Sequence, residues 1–385
     1  MKNFFYTFRL LYFRLTHGFG FMTGCSDLIY KLYLNHSKVI HWRDGKPVYS
    51  LTTPSAYSKP AENFLARQFF RVLQNKNIPN LMSFAVNDDC NAACEHCSFY
   101  TGVDDKKRAP LTLEQSIKLV KDAQDLGVSM INFVGGEPTL REDLPDIIRS
   151  VNKDLSETVM FTNGAILSQK VKALHDAGLD SVYVSIDSAN PTAHDRMRHH
   201  KGLFAKAVEG ISAAKKLGMT VGISTCLTPE AFADGEFERM VELAKQVGAH
   251  ELMVFDSMPT GRFKFRTDLI DNNEWVEKMI VASEKYNSDP SYPGVLLYSY
   301  ATSIKSMGCG GGTNYFYVSP YGDVMPCDFN HAKFGNILEK PLWKIWENLS
   351  SLPDFVSVKW GGCKLKDSVS GETANVATGN GCSGC

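Results

Sequence analysis

The first 24 residues lack both an acidic side chain and an apolar run long enough to cross a membrane. Basic residues interrupt every apolar stretch well short of the roughly 20 residues that a spanning helix needs, at Lys2, Arg9, Arg14 and His17. The continuous apolar region of a signal peptide is missing as well. As a helix, this segment would collect apolar side chains on one face, at Phe4, Phe8, Leu11 and Leu15. We expect such a helix either to lie at the inner face of a membrane or to pack on its own domain or a second subunit.

An excess of charge of one sign is also lacking. The 385 residues carry a formal net charge of -1, and without a global basic field nucleic acid is not an expected partner. With 44% hydrophobic residues, the chain exceeds one small domain, and we expect a core of about 200 to 250 residues plus an appendage.

The ten cysteines lack the dense, even spacing of a secreted disulfide scaffold. Three of them fall between Cys90 and Cys97, and five follow residue 308. This clustering is typical of metal-bound thiolates in a reducing compartment, so we expect a cytoplasmic protein.

From residue 81 to residue 256, apolar strands alternate with amphipathic helices. Six strand-like segments, from LMSFAVN to ELMVFDS, are separated by five helix-like segments. This order predicts an α/β fold with a parallel sheet and right-handed crossovers, in which ligands bind at the C-terminal ends of the strands. A partial (β/α)6 TIM-like barrel fits better than a closed eight-stranded one.

Cys90, Cys94 and Cys97 directly follow the first predicted strand. Three thiolates within eight residues can hold one soft metal centre, of iron and sulfur or of zinc. A fourth cysteine is missing nearby, because the next one is Cys226, which we interpret as a small apolar core residue. A zinc site completed by His96 or by a distant group stays open as an alternative, whereas an iron-sulfur cube with three protein ligands would leave one iron open.

The CxxxCxxC loop after the first strand resembles the signature of the radical S-adenosylmethionine superfamily. A second motif agrees, since Val134-Gly135-Gly136-Glu137-Pro138 ends the second strand, where that family has GGEP. The resemblance implies that a 4Fe-4S cluster on the three cysteines chelates S-adenosylmethionine. It also implies that Gly135, Gly136 and Glu137 hold the methionine amino group and that His96 lies beside the adenine.

Polar residues follow the later strands, where members of the family contact the ribose and the methionine carboxylate. By resemblance these contacts would come from Asn163 after the third strand, from Ser185 and Asp187 after the fourth, and from Arg198 in HDRMR. Each could instead be turn chemistry or a surface charge. The sequence singles out no catalytic residue beyond these cofactor contacts.

The C-terminal region carries a second cysteine pattern. Cys309 and Cys327 flank NYFYV and DVMP, two strands joined at a Pro- and Gly-bearing turn, so a hairpin would bring them together. The spacing resembles the SPASM and twitch extensions of the same superfamily, which bind auxiliary 4Fe-4S clusters. Five cysteines are present where SPASM has seven, so we expect one auxiliary cluster, with ligands drawn from Cys309, Cys327, Cys363, Cys382 and Cys385. The last two could instead belong to a frayed tail.

Together these features predict an N-terminal extension over residues 1-80, a radical S-adenosylmethionine core over 81-290 and an auxiliary-cluster domain over 300-385. The resemblance implies an enzyme, whether an oxidoreductase, a transferase or a lyase, that cleaves S-adenosylmethionine to a 5'-deoxyadenosyl radical and removes a hydrogen atom from an unactivated C-H bond. It also implies a reducing partner such as flavodoxin or ferredoxin. The basic, aromatic N-terminus favours a lipid or isoprenoid-type substrate and peripheral membrane contact. Maturation of a ribosomally synthesised peptide and non-catalytic electron transfer remain alternatives.

Overall fold

The computed structural model describes residues 34, 36, 38-74, 76-99, 107-266, 268, 273-303, 306 and 308-352. The helix expected within residues 1 to 24 lies outside the described residues, and so do Cys363, Cys382 and Cys385. Within the described ranges, we find no helix that combines the length and the apolar character of a membrane span.

The centre of the fold is a ten-stranded sheet, preceded by a small hairpin of β1 (His41–Arg43) and β2 (Lys46–Val48). Its strands are β3 (Leu81–Ala85), β4 (Met130–Val134), β5 (Glu157–Thr162), β6 (Ser181–Ser185), β7 (Thr220–Leu227), β8 (Glu251–Asp256), β9 (Gly294–Leu297), β10 (Tyr315–Val318), β11 (Asp323–Met325) and β12 (Gly335–Asn336). The spatial order is β12-β11-β10-β3-β4-β5-β6-β7-β8-β9. All pairings from β10 through β9 are parallel, and β11 and β12 add antiparallel strands at one edge.

The described helices are α1 (Lys59–Gln74), α2 (Leu113–Leu126), α3 (Leu144–Arg149), α4 (Leu167–Asp176), α5 (Pro191–Met197), α6 (Leu203–Lys216), α7 (Pro229–Ala233), α8 (Glu236–Val247), α9 (Asn273–Ser288), α10 (Tyr298–Ala301) and α11 (Leu342–Ser351). Helix α2 shows how local sequence sets such boundaries. It begins with a capping box, in which Thr112 and Gln115 bond to each other's backbone N–H. It ends at Gly127, whose positive φ of 131° reverses the chain.

The structure confirms the six predicted strands as β3 to β8 and the five predicted helices as α2, α3, α4, α6 and α8. It adds β9 on one side of the core sheet and short helices α5 and α7 within the crossovers. The predicted C-terminal hairpin is confirmed as β10 and β11, but β10 pairs with β3 and so continues the sheet of the core. The parallel α/β architecture is therefore confirmed, with two more parallel strands than we expected.

Alternating residues on the strands face two environments. On β3, Met82 and Phe84 are fully buried in the main core beneath the helices, whereas Ser83 between them faces the interior of the curved sheet. On β4, Asn132 likewise faces the interior. Burying each large apolar side chain on the helix side contributes about 1.5 to 3 kcal/mol, so the pattern fixes which side chains face inward.

Residues 49-57, here called the floor segment, close the N-terminal end of this interior. Tyr49 and Leu51 pack on inward-facing side chains of the strands in a second buried cluster. The first residues of β5 and β8 form hydrogen bonds with the floor segment. The carboxylate of Glu157 accepts hydrogen bonds from the Ser55 backbone and hydroxyl, and that of Glu251 accepts one from the Leu51 N–H at 3.0 Å. The interior therefore opens at the C-terminal ends of the strands.

Glu251 provides a test of this closure. Burial raises the pKa of Glu251 from 4.5 to about 7, although Tyr183, Leu51 and Ser50 donate hydrogen bonds to its carboxylate. Because the folded state holds the proton more tightly than the unfolded state, the free energy of unfolding should fall by about 3 kcal/mol as pH rises from 4.5 through 7.

We expect Glu251→Gln to remove this pH dependence, because the amide is a neutral mimic of the protonated carboxyl. Tyr183→Phe, which removes a donor that lowers the Glu251 pKa, should extend the fall in stability to higher pH. Urea unfolding on both sides of pH 7 measures the effect. Equal slopes in the wild type and Glu251→Gln would show that the carboxylate is not buried against the floor segment.

Candidate functional site

A cavity of about 690 Å³ occupies the C-terminal side of the sheet. Its wall contains every site residue predicted from the chain between residues 90 and 198. These residues are Cys90, Cys94, His96, Cys97, Gly135, Gly136, Glu137, Asn163, Ser185, Asp187 and Arg198. They come from the ends of β3, β4, β5 and β6 and from the turn after α5, so the parallel topology brings them together.

The cysteine loop, residues 90-97, is held by the backbone at the end of α5 and in the turn after it. The N–H groups of Ala93 and Glu95 donate to the carbonyls of Arg198 and Met197, at 3.1 and 2.9 Å. The His200 ring bonds the Asn91 carbonyl at 2.8 Å. These contacts hold the loop without using a cysteine side chain.

The two glycines of the GGEP motif let the backbone before the cysteine loop cross the end of β4. A Cβ on Gly136 would overlap the carbonyl of Asp89, and one on Gly135 would overlap Asn87. The Gly136 N–H donates to the Asn87 carbonyl at 3.1 Å, and the Glu137 N–H donates to the Asp89 carbonyl at 2.7 Å. Because these two glycines have no side chains, two backbone segments can lie close together here. A ligand could approach the same backbone for the same reason.

The carboxylate of Glu137 is buried and bonded to the chain itself. It accepts hydrogen bonds from the hydroxyls of Thr139 and Thr162 and from the backbone N–H groups of Thr139 and Asn163. Burial raises the pKa of Glu137 despite these donors. In this arrangement Glu137 joins the end of β4 to the end of β5.

Asp187 and Arg198 form a buried ion pair beside Cys94. The Arg198 Nε lies 2.7 Å from an Asp187 oxygen, and its Nη1 lies 3.7 Å from the Cys94 sulfur. Burial alone would raise the pKa of Asp187, but Arg198 and His96 outweigh it and hold this pKa well below its ordinary value. The His96 Nε2 lies 3.4 Å from Asp187, and burial lowers the pKa of His96.

Asn163 and Ser185 contact other wall residues. The Asn163 amide donates to the Asn91 side chain at 2.7 Å and lies 3.9 Å from the Cys90 sulfur. The hydroxyls of Ser185 and Ser224 are 3.0 Å apart. Cys226, expected as a buried apolar residue, is instead half-buried and lines the cavity.

The three thiols fit a cluster that supplies positive charge. Burial raises the pKa of Cys90 to about 11 and also raises that of Cys94, so a metal must favour their thiolate forms. Arg198 and Asn163 place N–H donors near two of the sulfurs. Among the described residues, no three His, Cys, Asp or Glu side chains converge as ligands of a single ion do. A four-iron cluster is larger, and its ligands stand further apart.

Cys309 and Cys327 form a second, neighbouring group. The Cys309 sulfur and the Cys327 Cβ both lie within 4 Å of the point where a Cβ on Gly311 would stand, so the hairpin brings them together as expected. Burial raises the pKa of Cys327 to about 12, and its sulfur accepts the Asn330 N–H at 3.3 Å. The hairpin turn also contacts the cysteine loop region, because the Tyr321 hydroxyl donates to Asp88 at 3.0 Å.

A polar cluster on the cavity wall was not predicted from the sequence. The Ser83 hydroxyl accepts from Tyr315 at 2.9 Å and from the Asn132 amide at 3.4 Å, and it bonds the Asp328 carboxyl. Burial raises the pKa of Asp328 to about 7. The Asn132 amide oxygen and the Tyr317 hydroxyl are buried without a partner in the described part of the chain. The signal in the sequence was a polar residue at the centre of an apolar strand, Ser83 in LMSFA and Asn132 in MINFV.

The cavity wall has more acidic than basic side chains. Its described acidic residues are Asp88, Asp89, Glu137, Asp187, Asp256 and Asp328, and its lysine and arginine residues are Arg198 and Arg262. Arg198 pairs with Asp187, and Arg262 bonds the Ala93 carbonyl at 2.9 Å. A polyanionic ligand would therefore be poorly matched.

Two family models match this chain. The radical SAM superfamily model matches residues 85-244, and an iron-sulfur cluster-binding domain, SPASM, matches residues 309-364. The AdoMet-dependent heme synthase of Methanosarcina barkeri is 28% identical, over 79% of this chain and 94% of that protein. The PqqA peptide cyclase of Rhizobium meliloti is also 28% identical, over 79% and 81%. Streptococcus suis SuiB bound to precursor peptide SuiA has a similar fold, with a TM-score of 0.56 and 16% identity over 78% of this chain and 71% of that chain.

Gly136 tests whether the glycine turn positions the cysteine loop. We expect Gly136→Ala to lower the iron bound after anaerobic reconstitution to about the level of a variant without the three loop cysteines, because the new methyl group must displace Asp89. Gly218→Ala is a stringent control, since Gly218 has open space around it but a positive φ of 78°, so alanine there adds backbone strain without a steric overlap. Full iron content in Gly136→Ala would contradict the geometry.

Proposed function

Since this chain is an enzyme of the radical S-adenosylmethionine superfamily, we propose that it cleaves S-adenosylmethionine reductively and removes a hydrogen atom from an unactivated C-H bond of a largely apolar substrate. The observation that carries the proposal is the convergence of eleven site residues on one cavity. The same cavity extends beyond them to an apolar wall with room for a substrate.

Cys90, Cys94 and Cys97 would hold the catalytic 4Fe-4S cluster. When bound, the cluster supplies the electron that converts S-adenosylmethionine to methionine and a 5'-deoxyadenosyl radical. The protein would hold the cysteine loop in place and keep a positively charged side chain beside it. The buried Arg198, kept charged by Asp187, lies next to Cys94 and favours the thiolate form.

The remaining predicted contacts divide into two roles. The Glu137 carboxylate accepts a hydrogen bond from the Asn163 backbone N–H, and the Asn163 side chain donates one to Asn91. Both side chains therefore mainly set the shape of the cofactor pocket. Ser185 and His96 border the same pocket and would contact the ribose and the adenine. The backbone carbonyls of Gly135 and Gly136 would then accept hydrogen bonds from the methionine ammonium group, since glycine allows close approach.

Cys309 and Cys327 would supply two ligands of one auxiliary 4Fe-4S cluster. Cys363, Cys382 and Cys385 remain the expected source of the others. The Asp328 carboxyl follows Cys327 directly and lines the cavity, bonded to Ser83. An auxiliary cluster here would lie against the substrate space, where it could anchor the substrate or accept an electron from it.

The cavity wall supports a substrate with an apolar body and an uncharged polar group. Apolar side chains line its deeper part, among them Phe64, Leu81, Met130, Phe161, Met253 and Leu296. The unpartnered Asn132 oxygen and Tyr317 hydroxyl would accept and donate hydrogen bonds to such a group. A lipid or isoprenoid-type molecule has this character, whereas a heme precursor with several carboxylates would meet an acidic wall.

Iron content and cofactor cleavage test the assignment together. We expect the reconstituted protein to bind about eight irons, four per cluster, and to form equal amounts of methionine and 5'-deoxyadenosine with dithionite. The Cys90, Cys94, Cys97 triple alanine variant should keep about half of the iron and lose cleavage, while Cys226→Ala keeps all of the iron. Iron binding without any cleavage by the wild type would favour an electron carrier instead.

Asn132 tests the substrate class. We expect a prenyl alcohol to increase 5'-deoxyadenosine formation in the wild type, and Asn132→Leu to reduce that increase about tenfold, the effect of one lost buried hydrogen bond, without changing cleavage in its absence. Tyr317→Phe should act similarly. Stimulation by a peptide but not by the alcohol would favour peptide maturation, and stimulation by a polycarboxylate porphyrin would contradict the charge argument.

A further inference from the structure

A basic loop packs against the end of the cysteine loop, at the rim of the cavity. This segment, residues 260-266, reads TGRFKFR and contains three cations and no acid in seven residues. Arg262, Lys264 and Arg266 are all exposed. Phe265 between them is 85% exposed, an unusual position for an aromatic ring. The nearest acid in sequence, Asp268, pairs with Arg266 at 2.7 Å, and Glu230 also acts on Arg266, so the three cations outnumber these two acids.

The basic loop makes backbone contact with both cysteine regions. On one side, the Arg262 N–H donates to the Cys97 carbonyl at 3.1 Å, and a Cβ on Gly261 would overlap that same carbonyl. On the other side, the Thr260 hydroxyl donates at 2.8 Å to the carbonyl of Phe329, two residues after Cys327. An electron arriving at this surface would therefore enter the protein beside the backbone of both cysteine regions.

We propose that the basic loop is the docking surface for an acidic, one-electron donor protein. The inference rests on the proposed function, because cofactor cleavage requires an electron from outside the chain. A reduced flavin or iron-sulfur donor would lose one electron, and the cluster held by Cys90, Cys94 and Cys97 would gain one. Positive charge would attract and orient the donor, and Phe265 would supply an apolar anchor at the centre of the contact.

The contacts favour a protein donor over a bilayer as the occupant. A membrane surface would explain the cations and the exposed ring, but it would give no reason for the loop to bridge the backbones of the two cysteine regions. The loop also presents one exposed aromatic side chain, where interfacial membrane segments usually bury an extended apolar face. A donor protein accounts for the charge, the ring and the position together.

Charge reversal with a matched control tests the surface. The double variant Lys264→Glu/Arg266→Glu alters the loop but no cavity residue. Lys216→Glu makes the same kind of change at an exposed site at the end of α6, at the opposite end of the sheet. The probe is purified flavodoxin, an acidic flavoprotein. Its affinity for the reconstituted protein is measured by titration calorimetry at low and high salt, and cofactor cleavage is driven either by reduced flavodoxin or by dithionite.

We expect the double variant to bind flavodoxin about tenfold more weakly and to lose salt dependence, with a matching loss of flavodoxin-driven cleavage. Dithionite-driven cleavage and iron content should be unchanged, and Lys216→Glu should resemble the wild type. Phe265→Ala should weaken binding while keeping its salt dependence.

Unchanged affinity in the double variant, or an equal loss in Lys216→Glu, would overturn the proposal. A parallel loss of dithionite-driven cleavage would assign the loop to support of the cluster instead. Loss of sedimentation with phosphatidylglycerol vesicles at unchanged flavodoxin affinity would assign it to a membrane. Failure of the wild type to cleave the cofactor with dithionite would refute the proposed function and leave the affinity measurement as a separate test of the surface.

Discussion

The close crossing of two backbone segments, one before the cysteine loop and one at the end of β4, underlies the whole site. Gly136 allows the Asp89 carbonyl to lie where a side chain would otherwise stand, and hydrogen bonds from the Gly136 and Glu137 N–H groups hold the crossing. The Glu137 carboxylate then reaches the end of β5 and binds the Asn163 N–H. One steric condition thus aligns three strand ends, and the cavity wall follows from that alignment.

The two ends of the sheet interior have different roles. At the N-terminal end, the floor segment and the buried Glu251 close the space with apolar packing and hydrogen bonds. At the C-terminal end, Asp187 and Arg198 keep a charged pair beside Cys94. Because the floor segment fills the closed end with packed side chains, electrostatic interactions in the cavity are stronger than at an exposed surface. A radical reaction also benefits from the exclusion of water.

Much of the core could be predicted because its signals are local. The apolar runs and the glycine and capping residues between them predicted β3 to β8 and their main helices, and the motif positions placed Cys90, Gly135 and Glu137 at strand ends. The short helix α5 and strand β9 were missed, since neither has the length or periodicity that distinguishes an element from a loop. Asp328 was missed because its importance depends on Ser83, which is 245 residues earlier in the chain.

Residue types and their local spacing were enough to indicate the chemistry: three closely spaced thiols, a glycine-rich turn after the next strand and a second cysteine group indicate which centres the chain can hold. The use of those groups depends on contacts between segments far apart in the chain. The tertiary structure committed Glu137 to donors of the chain itself, joined the hairpin strand β10 to β3, and placed the basic loop across both cysteine regions. The physical reason is that residue type and local spacing specify what a group can bind, whereas burial and contacts between distant segments specify which partner it meets.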